Sequence, residues 1–338
     1  MIKVKEVILK KLKESTQDYV SGEELSNILG VSRTAVWKCI NELKKEGYVI
    51  DSSSKKGYKL CYVPDIINSW EIKEGLGTRI IGQNIHCFSE IDSTNNYAKT
   101  LAQKGCDDGT VVLAEHQTQG RGRLGRSWDS MGGKGIWMSI VLRPAVGLED
   151  VQIITLAAAV AVVLAFKKVM GIDAGIKWPN DIVLDGKKVC GILTEMSMEM
   201  ERINFLILGI GINFSHEESE FPEEIRDRAT SLGIYLKEKK GMDISRFKRS
   251  HLIRAILSEL EEVYDMINEG KAGVIVEEWK KYSVTLGKEV VIKYREEQYT
   301  GIAQDVDQSG RLIVKQDDGT VREILSGEVS VRGLLGYT

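Results

Sequence analysis

Nine residues, Gly120-Arg121-Gly122-Arg123-Leu124-Gly125-Arg126-Ser127-Trp128, restrict the folds open to this chain more than any other stretch. A packed core does not take three closely spaced guanidinium groups. Three interleaved glycines weaken any helix or strand through the same segment. The stretch must be an exposed loop between packed elements. Glycine lets a backbone approach a bound group closely, and arginine offers a planar charged fork to phosphate or carboxylate oxygens. An anion cradle is one reading; a solvated basic loop with no ligand is the other.

Gly120, Gly122 and Gly125 also satisfy G-x-G-x-x-G. As a dinucleotide fingerprint that pattern must follow a strand and open a helix. Residues 110–115 read as the strand, but the glycine-rich 129–135 cannot carry a helix, and 136–142 reads as a second strand. A Walker loop is absent too, since no Gly-Lys-Ser/Thr opens a helix here. What is left is a mobile anion-binding loop between two strands.

A chain of 338 residues has room for two or three domains. Its charge is uneven. Residues 1–63 hold 12 Lys+Arg against 8 Asp+Glu, and the remainder 34 against 41. A basic module on an acidic body points to nucleic acid at one end. Cys39, Cys61, Cys87, Cys106 and Cys190 are scattered, no C-x-x-C or H-E-x-x-H occurs, and the charged start lacks a signal-peptide pattern. The expectation is a cytoplasmic protein with no disulfide framework, no zinc site and no metal held by side chains alone. The uncharged run 151–166 is too short for a bilayer span and reads as a buried helix, so no membrane partner is expected.

The N-terminal module, 1–63, reads as a winged helix-turn-helix. Val4, Val7, Ile8 and Leu12 have helical spacing, and Ser21-Gly22-Glu23-Glu24 is a capping box opening a second helix. Gly30-Val31-Ser32 is the turn, and Ser32 caps a third helix over 33–45. Strands at 48–50 and 58–60 make a basic wing. Ser32, Arg33, Thr34, Trp37 and Lys38 would face base edges, and Lys55 and Lys56 phosphates. A winged helix used only for protein contacts is the blander alternative. One module has limited reach, so a dimer on two half-sites is expected.

From 65 to 283 helices and strands alternate, giving an α/β (α+β) domain with a mixed sheet. A strand at 85–88 leads to Ser93 or Thr94, either able to cap a helix over 95–104. Such a helix start can bind carboxylate oxygens. Asp185-Gly186 turns between two apolar runs that place Lys177 and Lys188 on or beside strands, where lysine is unusual unless it faces a ligand. Gly191 permits close backbone approach. The strand 205–214 contains Gly209, Gly211 and Asn213. Residues 284–338 read as short strands of a small SH3-like β-barrel.

Taken in order, Asp92-Ser93-Thr94-Asn95, the loop from Glu115 to Arg126, Lys177-Trp178-Pro179-Asn180-Asp181 and Gly209-Ile210-Gly211-Ile212-Asn213 resemble biotin–protein ligases, with a class II synthetase-like catalytic domain. The N-terminal module makes the chain similar to the bifunctional kind that also represses the biotin operon. The resemblance covers essentially the whole chain. It implies that biotin and ATP, as its Mg²⁺ complex, give biotinyl-5′-AMP, and that biotin passes to a lysine of a biotin carboxyl carrier protein or similar domain. It implies catalytic Arg121, Arg123 and Lys188. Ser93, Thr94, Asn95, Gln117, Gly122 and Gly191 join these three at biotin. Gly120, Arg126, Trp128, Lys177, Asn180 and Asn213 join Arg123 at ATP or the adenylate. It further implies an adenylate-bound homodimer on operator DNA, with biotinyl-5′-AMP as corepressor and the arginine loop as lid. A lipoate-type acyl-adenylating ligase and a ligand-sensing repressor without catalysis are the alternatives.

Overall fold

The computed structural model describes residues 2–15, 18–199, 202–294, 297–325 and 328–331. It divides into two compact units, Met1–Ile66 and Ile67–Thr338. In the first, helices α1 (Ile2–Glu14), α2 (Gly22–Leu29) and α3 (Arg33–Lys45) precede the antiparallel strands β1 (Val49–Ser53) and β2 (Gly57–Tyr62). Ser21 accepts the Glu24 N–H at 3.0 Å, while the Glu24 carboxylate is turned to Lys11 at 3.1 Å, so the expected reciprocal capping box is half realised. Gly30, at φ +63°, closes α2, and Ser32 accepts the Ala35 N–H at 3.2 Å to open α3. Helix α3 buries Val36, Cys39, Ile40 and Leu43. The second strand of the wing starts at Gly57, whose φ of +108° and closeness to the Val20 carbonyl leave no room for a Cβ.

In the second unit α4 (Ser69–Lys73) leads to β3 (Ile85–Ile91), α5 (Thr94–Gln103), β4 (Val111–Gln117) and β5 (Gly135–Leu142). Helix α6 (Val151–Met170) follows, then β6 (Gly175–Lys177), β7 (Asp181–Leu184), β8 (Lys187–Glu199) and β9 (Arg202–Asn213). The sheet order is β3-β4-β5-β9-β8-β7-β6, parallel only between β3 and β4. The apolar run around Trp178 folds as two strands, because residues 178–180 turn the chain back on itself. Asp185 and Gly186, both at positive φ, make the expected hairpin turn.

Helices α7 (Leu232–Lys240), α8 (Arg249–Asn268) and α9 (Ala272–Tyr282) complete the helical layer. Helix α6 is long and apolar enough to cross a membrane by length and composition, but it is buried on nearly every side, packed on α8, α9 and the sheet. A helix apolar all round finds its partners in a core. Beyond it come β10 (Glu289–Tyr294), β11 (Glu297–Val306), β12 (Leu312–Lys315), β13 (Val321–Ile324) and β14 (Glu328–Val331). They form an antiparallel sheet in the order β13-β12-β11-β10-β14. Among the described residues no ladder joins β13 to β14, and residues 326–327 and 332–338 of the expected barrel lie outside them. The small sheet shares the main core through Val290, Ile292 and Leu312.

One buried ion pair joins the layers. Arg249, at the start of α8, is 2 % exposed and grips Glu115 on β4 with two nitrogens at 2.6 and 3.2 Å. Its NH1 also donates to the Gly135 carbonyl at 3.2 Å, and Glu115 accepts the Ile67 N–H at 2.8 Å. Removing one partner of such a pair leaves the other charge uncompensated. Arg249→Ala should lower unfolding free energy by about 3–5 kcal/mol, read as a drop in the urea midpoint. A midpoint within error of the parent would show that water relaxes into the site.

Candidate active site

Strand parity decides which face carries the site. In β9, Leu206, Leu208, Ile210 and Ile212 turn into the core beneath α6. Phe205 and Ile207 turn the other way and pack on Ala98 and Ala102 of α5. Continuing that odd-numbered set, Gly209, Gly211 and Asn213 fall where α5 begins, and two of the three bring no side chain. Trp137 and Ser139 of β5, and Gly191 and Glu195 of β8, belong to the same face. A cavity of about 600 Å³ opens there. Every residue assigned to biotin or nucleotide from the sequence lies in its wall except Gly120. Gly120 is buried behind the loop, where its carbonyl accepts the Trp128 N–H at 2.9 Å.

The floor is shaped by missing side chains. Gly191 and Gly211 face each other across the β8–β9 ladder. A Cβ on either would stand 2.7 or 2.8 Å from the Trp128 indole, which lies over both. A Cβ on Gly209 would reach within 2.4 Å of Asn95 Oδ1. At the start of α5, Ser93 holds the N-cap position without a side-chain cap bond. Gln117 does the capping instead, its Oε1 accepting the Thr94 N–H at 2.8 Å and the Thr94 hydroxyl at 3.0 Å. Gln117 Nε2 donates to Ser130 at 2.8 Å. The Ser139 hydroxyl lies 2.7 Å from Thr94 Oγ1 and 2.5 Å from Asn95 Oδ1, and Asn95 Nδ2 donates to Glu195 at 2.6 Å. Ser93, Thr94 and Asn95 are all buried, and the side chains of Thr94 and Asn95 are held by other polar groups.

The arginine loop folds back on itself. Gly122 N–H donates to the Arg126 carbonyl at 2.8 Å, and Arg121 and Ser127 pair as a bridge. Leu124 sits at the tip, 74 % exposed with φ +55°. Each expected catalytic cation rests on a polar neighbour. Arg121 lies 3.3 Å from Glu195, Arg123 donates to Asn180 Oδ1 at 2.7 Å, and Lys188 Nζ is 2.6 Å from Asp181. Lys188 Nζ also stands 5.1 Å from the centre of a Trp128 ring, a cation–π contact. Lys177, Asn180 and Asn213 are all buried, with Asn180 Nδ2 donating to the Ile192 carbonyl and Asn213 Nδ2 to the Thr230 carbonyl. Trp178, between Lys177 and Pro179, donates its indole N–H to the Gly310 carbonyl of the small sheet's turn at 3.1 Å.

Sequence reading passed over several wall residues. His216, Phe221 and Arg228 come from the irregular 214–231 segment, which carries no periodic signal. Lys293 and Ser330 come from the small sheet, whose strands alone point to no chemistry. Asp181 was read only as part of a motif, and its pairing with Lys188 depends on the β7–β8 register. In the first unit, Ser32, Arg33, Thr34, Trp37 and Lys38 line the exposed face of α3, with Trp37 56 % exposed, and Lys55 and Lys56 stand exposed on the wing. Together these seven form a candidate nucleic-acid surface.

Three family models match the chain. Residues 87–213 match the biotin/lipoate A/B protein ligase family, 4–59 a helix-turn-helix domain, and 285–332 the biotin protein ligase C-terminal domain. The bifunctional ligase/repressor BirA of Bacillus subtilis is 38 % identical over 94 % of this chain and 95 % of its own length. That of Escherichia coli is 27 % identical over 93 % and 94 %. A biotin protein ligase from Aquifex aeolicus, solved in complex with biotin and ATP, aligns with a TM-score of 0.62 at 33 % identity, over 74 % of this chain and 99 % of that one. This chain belongs to the family of bifunctional biotin ligase/repressors.

Proposed function

We propose that the chain joins biotin to ATP, giving biotinyl-5′-AMP and pyrophosphate, then passes biotin to a lysine of a biotin-accepting domain, and represses transcription through its N-terminal unit. The observation that carries this reading is the convergence, in one cavity, of the glycine floor, the arginine loop and Lys188. In the first step a biotin carboxylate oxygen attacks the α-phosphorus of ATP, and the bond to the β-phosphate breaks. Two anions must be brought together, so fixed positive charge is the main requirement. Arg121, Arg123 and Lys188 supply it once ligand oxygens displace Glu195, Asn180 and Asp181 from them. Mg²⁺ would add charge on the phosphates; it keeps waters and needs few protein carboxylates, and Asp129 and Asp181 are those in the wall.

Ser93, Thr94, Asn95, Gln117, Gly122 and Gly191 make the biotin end of the cavity. Gly120, Arg126, Trp128, Lys177, Asn180 and Asn213 serve the nucleotide end, Gly120 through the loop's shape. In the second step the acceptor amine attacks the acyl carbon and AMP leaves. The anhydride hydrolyses in water, so the folded loop with Trp128 acts as a lid. Attachment of lipoate instead is disfavoured by the paired N-terminal module and full arginine loop.

The cytoplasm is the proposed compartment, and biotin carboxyl carrier protein the proposed acceptor. Operator DNA is the proposed target of α3 and the wing, bound by a homodimer that forms when the adenylate is present. Support for a dimer comes from β8. Among the described residues, its segment 193–199 pairs with β9 on one side only, leaving a strand edge beside half-exposed Met196 and Met198. An open edge is a template for another strand.

Lys188→Ala should slow biotin-dependent ATP–pyrophosphate exchange by about 10²–10³-fold while the N-terminal unit stays folded by circular dichroism. Near-normal exchange would remove Lys188 from the mechanism. Arg33→Ala should weaken operator binding by about 1–3 kcal/mol with relaxed sequence preference, whereas Lys55→Ala should lower the salt slope by about 1 without changing preference; gel shifts over a salt series read both. Sedimentation at saturating biotin and ATP should show a dimer, and a monomer there would refute adenylate-driven dimerisation.

A further inference from the structure

One wall of the cavity carries a buried histidine, His216. Trp137 and Phe221 make an aromatic box there, and Ile225 and Ala229 are further apolar residues of the cavity wall. His216 stands inside it, 3 % exposed. Its ring is stacked on Phe221, centroids 5.2 Å apart and planes 21° apart, and meets the Trp137 ring at 6.0 Å and 65°. Its backbone is pinned, the carbonyl accepting the hydroxyl of fully buried Ser231 at 2.7 Å. Yet among the described residues His216 Nδ1 is buried without a hydrogen-bond partner. A buried nitrogen left unpaired costs stability that an apolar side chain of the same shape would not. The imidazole is therefore suited to a partner that arrives from outside.

The box also says what kind of partner. A purine has two apolar faces and a polar edge, and an aromatic box with a few polar groups fits that pattern. Asn213, three residues upstream in the same wall, has its Nδ2 engaged by Thr230, which leaves Oδ1 for a ligand. The box is tied to the reacting end of the cavity as well. Lys188 N–H donates to the Arg228 carbonyl at 2.8 Å, and Thr230 N–H to the Lys188 carbonyl at 2.9 Å. Burial holds the imidazole below its ordinary pKa, outweighing the nearby Glu220 and Asp129 carboxylates, while Lys134 adds to the depression. A neutral ring keeps one nitrogen as an acceptor.

We propose that His216 is a specificity-determining residue that accepts a hydrogen bond from the 6-amino group of the nucleotide's purine. This rests on the adenylating reading above and adds to it the residue that recognises the base. A site built to bond a polar group rejects the analogue that lacks it, because its own buried group stays unpaired.

The test compares ATP with purine riboside triphosphate, which lacks the 6-amino group, in biotin-dependent pyrophosphate exchange. The wild-type chain should prefer ATP in kcat/KM. His216→Phe, which keeps the stacking, should reduce that preference by about tenfold or more, and His216→Gln should retain part of it. A purely structural role would lower both substrates equally, and an unchanged ratio overturns the proposal. Should the Phe variant not fold, the wild-type protein still decides. With ¹⁵N-labelled histidine, the His216 ring nitrogens should respond to ATP and not to the analogue, and an equal response to both overturns the proposal. A wild-type chain that exchanges with neither nucleotide would instead fail the adenylating reading itself.

Discussion

Two glycines opposed across one strand pair set the dimensions of everything above them. Gly191 on β8 and Gly211 on β9 leave a trough that the Trp128 indole enters. Any side chain at either position would lift the indole and with it the end of the arginine loop. The loop can close only because the sheet gives way there. Its cations, in turn, sit over the cavity only because the loop closes. The sheet supplies this recess at low cost, since the opposite face of β9 remains a full row of Leu and Ile against α6.

The same alternation explains how much could be read beforehand. The helix-turn-helix, the long buried helix and the Asp185-Gly186 turn each have a local cause, and each was legible. So were the glycine and arginine runs and the strand lysines, because they violate packing rules locally, while the other expected site residues rested on the resemblance to biotin–protein ligases. Long-range details were not legible. The cap on α5 is Gln117, 23 residues away from Thr94, and only the parallel pairing of β3 with β4 brings it there. The 214–231 segment shows no period, so nothing in its order marks His216 as buried.

Electrostatics follows the same division of labour. The Arg249–Glu115 pair is structural: its arginine is buried, and both partners hold further hydrogen bonds to the backbone. The pairs at Arg121 and Lys188 are partly open, and both cations line the cavity. A carboxylate beside a cation keeps the ligand-free site from carrying several like charges at close range.

The hydrogen bond from Trp178 to Gly310 has a bearing on modularity. Trp178 sits inside the motif that holds Lys177 and Asn180, and its N–H is satisfied only by a carbonyl more than a hundred residues downstream. Loss of the small sheet would take away the partner of an indole that stands between Lys177 and Pro179. The two ends of this chain are thus unequal as modules: the N-terminal unit is compact by itself, whereas the C-terminal strands are built into the core of the ligase unit.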